Sequence, residues 1–272
     1  MRPVTPAQLA VTARANGWFA PERPGPLVGA HVVRTGIGSA LVDRWPAPLA
    51  VLVAAGGNLS LAGEPGAIDA GRLRGLVRGF LEVPAPFAAL AARAFPDAAR
   101  WPRLVLVLPG LPRRPQRARA GRVRVRRLAA ADAGHLAALS GQSSWISASW
   151  GGPIGPSHTG AKHRPVVGAD GLAASGTAWG AFEGGRLVSV ACPFFAGRRY
   201  EDLGVATEPG WRGQGLSTAC AGAVCADVHG RGRVASWTTS PDNTASLAVA
   251  ERLGFRLTRA DELLAVGVEI PG

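Results

Sequence analysis

A glycine-rich turn between a strand and a helix constrains the fold of this 272-residue chain more than any other feature. Residues 198–209 (RRYEDLGVATEP) read as a strand, the following residues 210–215 (GWRGQG) contain three glycines, and residues 216–230 have the small apolar composition of a buried helix. This strand–turn–helix unit predicts an α/β fold. Because the first amides of a helix have no partner inside the helix, it also predicts an anion site at the turn.

The spacing of these glycines excludes two common phosphate-binding motifs. The turn lacks the lysine of the Walker pattern, and it lacks the three-glycine dinucleotide fingerprint with its downstream acid. The turn therefore does not predict a kinase or a dehydrogenase.

The positive charge of the chain points to a domain boundary more than to a nucleic-acid partner. The net charge is +12, and Lys162 is the only lysine. Because arginine is spread over the whole sequence, we expect no nucleic acid as primary partner. Residues 112–127 hold eight arginines and no acid, which predicts an exposed linker that leads into an edge strand. We therefore divide the chain into an N-terminal α/β module, residues 1–118, and a second domain, residues 119–272.

The cysteines and the first residues of the chain indicate its compartment. Cys192, Cys220 and Cys225 are odd in number and lack CxxC spacing, so neither a disulfide framework nor a metal site is predicted. The first residues predict a helix capped by Thr5 with Pro6 at its first position, and no apolar run reaches the ~18 residues that span a bilayer. We expect a cytoplasmic protein with no membrane partner.

Strands and helices alternate along both parts of the chain. The first part predicts paired strands with a turn at residues 56–58, a helix over residues 70–83 that includes Phe80, a second helix over 87–95 and a buried strand at 103–110. The second part predicts a hairpin that turns at residues 183–185, the strand before the glycine turn, and a helix that starts near Asn243 and ends at Gly254.

Three segments in order carry a family resemblance. Residues 212–217 (RGQGLS) match the pattern R-x-x-G-x-small, residues 243–255 read NTASLAVAERLGF, and the hairpin at 182–189 reads FEGGRLVS. Over residues 122–272 the chain resembles the GNAT superfamily of acyl-CoA-dependent N-acyltransferases. The resemblance implies a C-terminal GNAT fold, a mixed and mostly antiparallel sheet flanked by helices. The N-terminal part resembles the smaller, degenerate GNAT-like α/β domain of bacterial two-domain acetyltransferases; the alternative is an unrelated α/β module.

The resemblance implies acetyl-CoA, or another acyl-CoA, as co-substrate. Amides from Gln214 to Ser217 would hold the pyrophosphate, and the strand at 203–207 would pair with the pantetheine arm through its main chain. The cofactor-binding residues implied in this way are Leu203, Val205, Ala206, Thr207, Arg212, Gly213, Gln214, Gly215, Leu216, Ser217, Thr218, Asn243 and Ser246. Arg212 and Asn243 have a simpler alternative role, to cap the turn and the last helix.

Acyl transfer to an amine needs a base, and the superfamily commonly places it on the strand before the glycine turn. That strand carries Glu201 and Asp202, whose side chains face opposite ways. We predict Glu201 as the general base; the alternative is an exposed acid paired with arginine. Many members have a tyrosine that protonates the leaving thiolate, and this chain has Ala250 at that position.

The loop at residues 143–165 borders the acceptor in the superfamily and here holds Trp145, Trp150 and His158, which we predict to bind the substrate. The alternative is that the tryptophans are core residues and the histidine is solvated. We expect an N-acetyltransferase, monomeric or homodimeric, that moves acetyl to a primary amine of a small molecule by direct attack in a ternary complex. A basic surface would repel a lysine-rich peptide. The alternatives are a non-catalytic acyl-CoA-binding module, favoured by Ala250, and nucleic-acid binding through residues 113–127.

Overall fold

The elements of the chain form two runs of the same order. A computed structural model describes residues 1–113, 123–152 and 168–271. The first run is β1 (Arg2–Pro3), α1 (Pro6–Ala15), α2 (Val28–Thr35), β2 (Ser39–Val42), β3 (Ala50–Ala55), β4 (Asn58–Gly63), α3 (Ala70–Arg74), β5 (Gly79–Glu82), α4 (Ala88–Ala94) and β6 (Ala99–Val107). The second is β7 (Arg124–Arg127), α5 (Ala133–Ala137), α6 (Gly168–Ser175), β8 (Trp179–Glu183), β9 (Arg186–Ala196), β10 (Tyr200–Thr207), α7 (Leu216–Gly230), β11 (Val234–Thr239), α8 (Thr244–Leu253) and β12 (Arg256–Val266). A 3₁₀ segment, Ser144–Trp150, follows α5.

The twelve strands of the described residues belong to one sheet, in which the two runs exchange their last strands. The order is β1-β2-β3-β4-β5-β12-β6-β11-β10-β9-β8-β7. Strand β12 of the second run therefore lies beside β5, and β6 of the first run lies beside β11. The pairs β4–β5 and β10–β11 are parallel. The sheet thus crosses the predicted boundary at residue 118, and the division into domains stays a prediction.

The two faces of the second run are covered by different helices. Helices α7 and α8 pack on Ala235 and Trp237 of β11 in one apolar core. Since side chains alternate along a strand, Ser236 and Thr238 face the other side of the sheet. A second core holds α5, α6 and the 3₁₀ segment against β8 and β9. This alternation places hydroxyl groups on the sheet face opposite α7 and α8.

In the first run one local prediction is confirmed and another is wrong. The Thr5 cap of α1 is confirmed, since the Thr5 hydroxyl accepts from the Gln8 amide. The helix predicted over residues 70–83 is wrong beyond Arg74, and Phe80 lies on β5. Gly79 has φ +133°, which is not a helical conformation, and its backbone lies so close to the Gly57 carbonyl that a Cβ would collide with it. At this point the chain has left the helix and pairs with β4. Within the described ranges, no helix is both long and apolar enough to cross a membrane.

Candidate functional site

A wedge opens where two parallel strands of the second run separate. The β10–β11 ladder joins residues 200–203 to residues 234–237 and ends there. Beyond it β10 continues along β9 to Thr207, while β11 continues along β6 to Thr239. A cleft of about 1710 Å³ passes through the wedge. The edge of β10 from Gly204 to Thr207 that faces β11 lies outside this ladder, so an extended ligand can pair with its main chain.

The glycine turn lies at one end of this cleft. Gly213 and Gly215 have φ of +75° and +81°, in the left-handed region that glycine adopts without strain. Gly215 caps α7 and provides no side-chain hydrogen bond to its first amides, and the first turn of α7 holds no acid. The predicted anion site is therefore open at the start of a fifteen-residue helix.

The equivalent helix of the first run has no such site. Helix α3 has five residues, and the carboxylate of Asp69 accepts a hydrogen bond from the Arg72 amide at its start. An acid that already occupies a helix N-terminus repels a second anion. The two runs therefore share an element order but differ at the turn that would hold a phosphate.

The residues predicted to bind the coenzyme line the cleft, with one exception. Leu216 is 1% exposed and packs in the core under α7. Arg212 donates to the Thr207 carbonyl at 3.3 Å, and Asn243 caps α8 by accepting from the Ser246 amide at 3.0 Å. Both residues therefore take the capping role and also line the cleft.

Glu201 lies away from the cleft and is saturated with ion pairs. Its side chain is 1% exposed, and its oxygens contact Arg34 at 3.2 Å, Arg231 at 2.6 Å and Arg233 at 2.5 Å. These three arginines hold the carboxylate in place, and Glu201 is not among the residues that line the cleft. The structure therefore does not bring Glu201 to the cleft, and its role as general base stays a prediction.

Asp202, its neighbour, lines the cleft at the end of the β10–β11 ladder. The hydroxyl groups of Ser236 and Thr238 each donate to its Oδ1 at 2.9 Å. Burial raises the pKa of Asp202 to about 7, although these hydrogen bonds and the charge of Arg103 oppose the rise. Asp202 can therefore change its protonation state near neutral pH.

Arg103 enters the same cleft from β6, a strand of the first run. Its Nη2 donates to the Thr238 carbonyl at 3.0 Å, and its guanidinium lies over the Trp101 ring, 4.0 Å from the centroid. Burial lowers the pKa of Arg103 to about 10, so the group stays charged at neutral pH. Sequence reasoning missed this residue because only the exchange of β6 into the second run brings it to the cleft.

The structure separates the three residues predicted to contact the acceptor. Trp145 is 45% exposed and lines the cleft. Trp150 is buried, its Nε1 donates to the Pro193 carbonyl at 2.8 Å, and its ring packs edge-on against His31, outside the cleft. Trp150 thus takes the alternative role of a core residue and does not line the cleft. His158 lies outside the described residues.

The three cysteines provide no reactive thiolate. All are buried, and burial raises the pKa of Cys220 and of Cys225 to about 12 and that of Cys192 further. In the described part of the chain, no group of three or more His, Cys, Asp or Glu side chains is placed to hold a metal ion.

The sequence of this chain is similar to those of known N-acetyltransferases. The GNAT acetyltransferase family model matches residues 170–262. The uncharacterized N-acetyltransferase in the mutA 5′ region of Streptomyces virginiae is 40% identical over 218 residues, 79% of this chain and 84% of that protein.

Solved structures share the fold of both runs. A GCN5-related N-acetyltransferase-like protein from Streptococcus suis superposes with a TM-score of 0.67 at 16% identity, over 94% of this chain and 99% of its own. A tandem GNAT protein from the clavulanic acid biosynthesis pathway gives a TM-score of 0.54 at 15% identity, over 97% of this chain and 96% of its own. With the family match and the Streptomyces relative, the conclusion is that this chain belongs to the GNAT acetyltransferase family.

Proposed function

We propose that the protein transfers an acetyl group from acetyl-CoA to the primary amine of a small molecule, by direct attack in a ternary complex. One observation carries the proposal: the wedge, the open glycine turn and the carboxyl group of Asp202 all line a single cleft. Amides at residues 214–217 hold the pyrophosphate, and the main chain at residues 203–207 pairs with the pantetheine arm.

Asp202 is the base that we assign in place of Glu201. The attacking amine must lose a proton, and a base works best when its pKa lies near the working pH. The pKa of Asp202 is about 7, and its carboxyl group adjoins the point where the wedge opens. Asp202 accepts the proton directly or through a water molecule.

Direct attack is favoured over an acyl-enzyme intermediate. An acyl-enzyme route needs a nucleophile such as a thiolate in the cleft. The three cysteines are buried and have raised pKa values, and none lines the cleft. The absence of a cysteine from the cleft lining favours a route in which amine and acetyl-CoA are bound together.

Ser246 is the hydroxyl that we assign to the leaving thiolate. Ala250 is fully buried, whereas Ser246, one turn earlier on α8, lines the cleft. The Ser246 hydroxyl accepts from Trp237 Nε1 at 2.9 Å and keeps its own hydrogen for a ligand. We expect Ser246→Ala to lower kcat. The KM for acetyl-CoA should stay within about twofold of the wild-type value, because such a change corresponds to less than one hydrogen bond. An unchanged kcat would contradict the assignment of Ser246 to the leaving thiolate.

Residues 1–118 frame the acceptor side of the cleft. Phe80, Trp101 and Arg103 from this part line the cleft together with Trp145 and Phe194 from the second run. Aromatic walls on both sides suit a small molecule, and the net charge of +12 disfavours a lysine-rich peptide.

Initial rates of thiol release over a matrix of acetyl-CoA and amine concentrations test the proposal. A ternary complex predicts double-reciprocal lines that intersect, whereas parallel lines would overturn direct attack. Stabilisation of the fold by CoA without thiol release from any amine would instead support a non-catalytic acyl-CoA-binding protein.

A further inference from the structure

Two groups of opposite charge in the cleft contact the same residue, Thr238, without forming a direct ion pair. The hydroxyl of Thr238 donates to Asp202 Oδ1 at 2.9 Å, and its carbonyl accepts from Arg103 Nη2 at 3.0 Å. Within the described ranges, neither Asp202 nor Arg103 forms an ion pair. A carboxyl group and a guanidinium therefore lie near each other, and both lack an ionic partner.

Such an arrangement costs free energy in the empty cleft. Removing a charge from water is unfavourable unless it is paired, and the partly buried Arg103 contacts a carbonyl oxygen and the face of Trp101 but has no salt-bridge partner among the described residues. A ligand that carries an anion and an amine relieves this cost at both ends. Because both protein groups contact Thr238, the anion and the nitrogen of the ligand must be close together.

Arg103 is not placed to bind the coenzyme phosphates. It lies on β6, and β11 separates β6 from β10 and the glycine turn. The phosphate site at residues 213–218 follows the far end of β10. The anion that Arg103 would bind therefore belongs to the acceptor.

The walls around these charges are aromatic. Phe80 packs against Trp101 with ring centroids 4.7 Å apart, and Trp145 packs against Phe194 at 5.5 Å. All four side chains line the cleft. They offer an apolar body of the ligand a large contact area.

We propose that the acceptor is an α-amino acid with a large apolar side chain, whose carboxylate binds Arg103 and whose amino nitrogen lies at Asp202. This inference rests on the proposed acetyl transfer. In the reaction the amine nitrogen attacks the acetyl carbonyl carbon, and a C–N bond forms as the C–S bond breaks. The electron pair leaves on sulfur, and the proton of the amine passes to Asp202.

Three acceptors test the proposal through kcat/KM with acetyl-CoA. L-Phenylalanine has both groups, phenethylamine lacks the carboxylate, and L-alanine lacks the ring. We expect phenylalanine to exceed each of the others at least about tenfold, the value of one charge-assisted hydrogen bond or one buried ring. Phenethylamine that equals or exceeds phenylalanine would overturn the proposal.

Variants of two arginines on β6 test whether Arg103 causes the preference for an acceptor with a carboxylate. Arg103→Gln should bring the phenylalanine-to-phenethylamine ratio close to one. Arg100→Gln is the matched control, because the Arg100 side chain is 70% exposed and pairs with Glu262 outside the cleft. The wild-type ratio should persist in it, and an unchanged ratio in Arg103→Gln would contradict the assignment.

If Arg103→Gln does not fold, inhibition of the wild-type protein tests the same proposal. The ligand 3-phenylpropionate keeps the ring and the carboxylate but lacks the amine, so it should inhibit competitively against the amine. Absence of inhibition would count against the proposal. If phenethylamine is acetylated and carboxylates give no advantage, only this inference fails; if no amine is acetylated, the proposed function fails.

Discussion

Glu201 and Asp202 are adjacent acids whose surroundings give them opposite properties. Glu201 is bound by guanidinium groups from α2 and from the segment after α7, whereas Asp202 accepts only neutral hydroxyl groups and faces the cleft. Strand alternation predicts that the two side chains face opposite ways. One of the arginines that hold Glu201, Arg34, comes from a distant part of the chain, so local sequence does not show which of the two acids reaches the cleft.

Asp202 makes the stability of the fold depend on pH. Its pKa is raised to about 7 in the folded protein, so its contribution to stability is full below the unfolded value near 4 and is lost as the pH rises towards 7. Since one unit of pKa difference is worth about 1.4 kcal/mol, the loss is at most about 4 kcal/mol.

The variant Asp202→Asn should lack this dependence. Urea unfolding at pH 5 and pH 8 is the measurement, and the wild type should lose stability relative to the variant between these values. Parallel changes in the two proteins would show that the carboxyl group is not protonated in the folded state at pH 5.

At the scale of elements, the unit β10–turn–α7 is the part of the site that sequence predicts best. The turn depends on glycines with positive φ and on the start of a helix, and both have local sequence signals. Helix α3 shows the opposite case: its predicted length is wrong, because pairing with β4 overrides helical spacing after Arg74.

A pair of glycines at opposite ends of α7 tests the anion site. Gly213 has φ +75° and Gly232 has φ +70°, and a Cβ at either position meets no atom within 4 Å. Replacement of either by glutamate therefore costs similar backbone strain, about 1–2 kcal/mol. Gly213→Glu also places a negative charge where the pyrophosphate is proposed to bind.

We expect Gly213→Glu to raise the KM for acetyl-CoA at least about tenfold, since one lost charge interaction is worth about 1.4 kcal/mol or more. Gly232→Glu should keep the wild-type KM. Equal KM values for acetyl-CoA in both variants would show that the pyrophosphate does not bind at this turn.

At the scale of the whole molecule, the exchange of β6 and β12 joins the two runs into one site. Arg103 and Trp101 reach the cleft on β6, and Phe80 reaches it on β5. No local pattern predicts these residues, because their position depends on pairing between strands that are more than a hundred residues apart. The sequence therefore predicts the glycine turn of the cleft better than the part of the cleft that strands β5 and β6 contribute.

His31 of α2 is a second link between the runs. It is fully buried, its Nε2 lies 2.9 Å from the Ser149 carbonyl, and its Nδ1 accepts from the Ala196 amide at 3.1 Å. Burial lowers the pKa of His31 to about 4, so the ring is neutral and donates from Nε2. It thus fixes the 3₁₀ segment that carries Trp145.

His31→Leu should destabilise the fold by about 2–4 kcal/mol, because it leaves a buried carbonyl and a buried amide without partners. In the folded variant the KM for the amine should rise and the KM for acetyl-CoA should not, since the glycine turn is remote from His31. His229→Leu, at an exposed position near the end of α7, is the control for denaturation and kinetics. Wild-type stability in His31→Leu would show that the link is not needed.

The pH profile of kcat/KM for acetyl transfer tests the central claim, that Asp202 takes the proton of the amine. In the wild type, activity should rise through a pKa near 7, separate from the later rise due to the amine itself. Asp202→Asn should lose the rise near 7 and about two to four orders of magnitude in rate. Glu201→Gln, although less stable, should keep the rise. An Asp202→Asn variant with wild-type rate and profile would contradict the account.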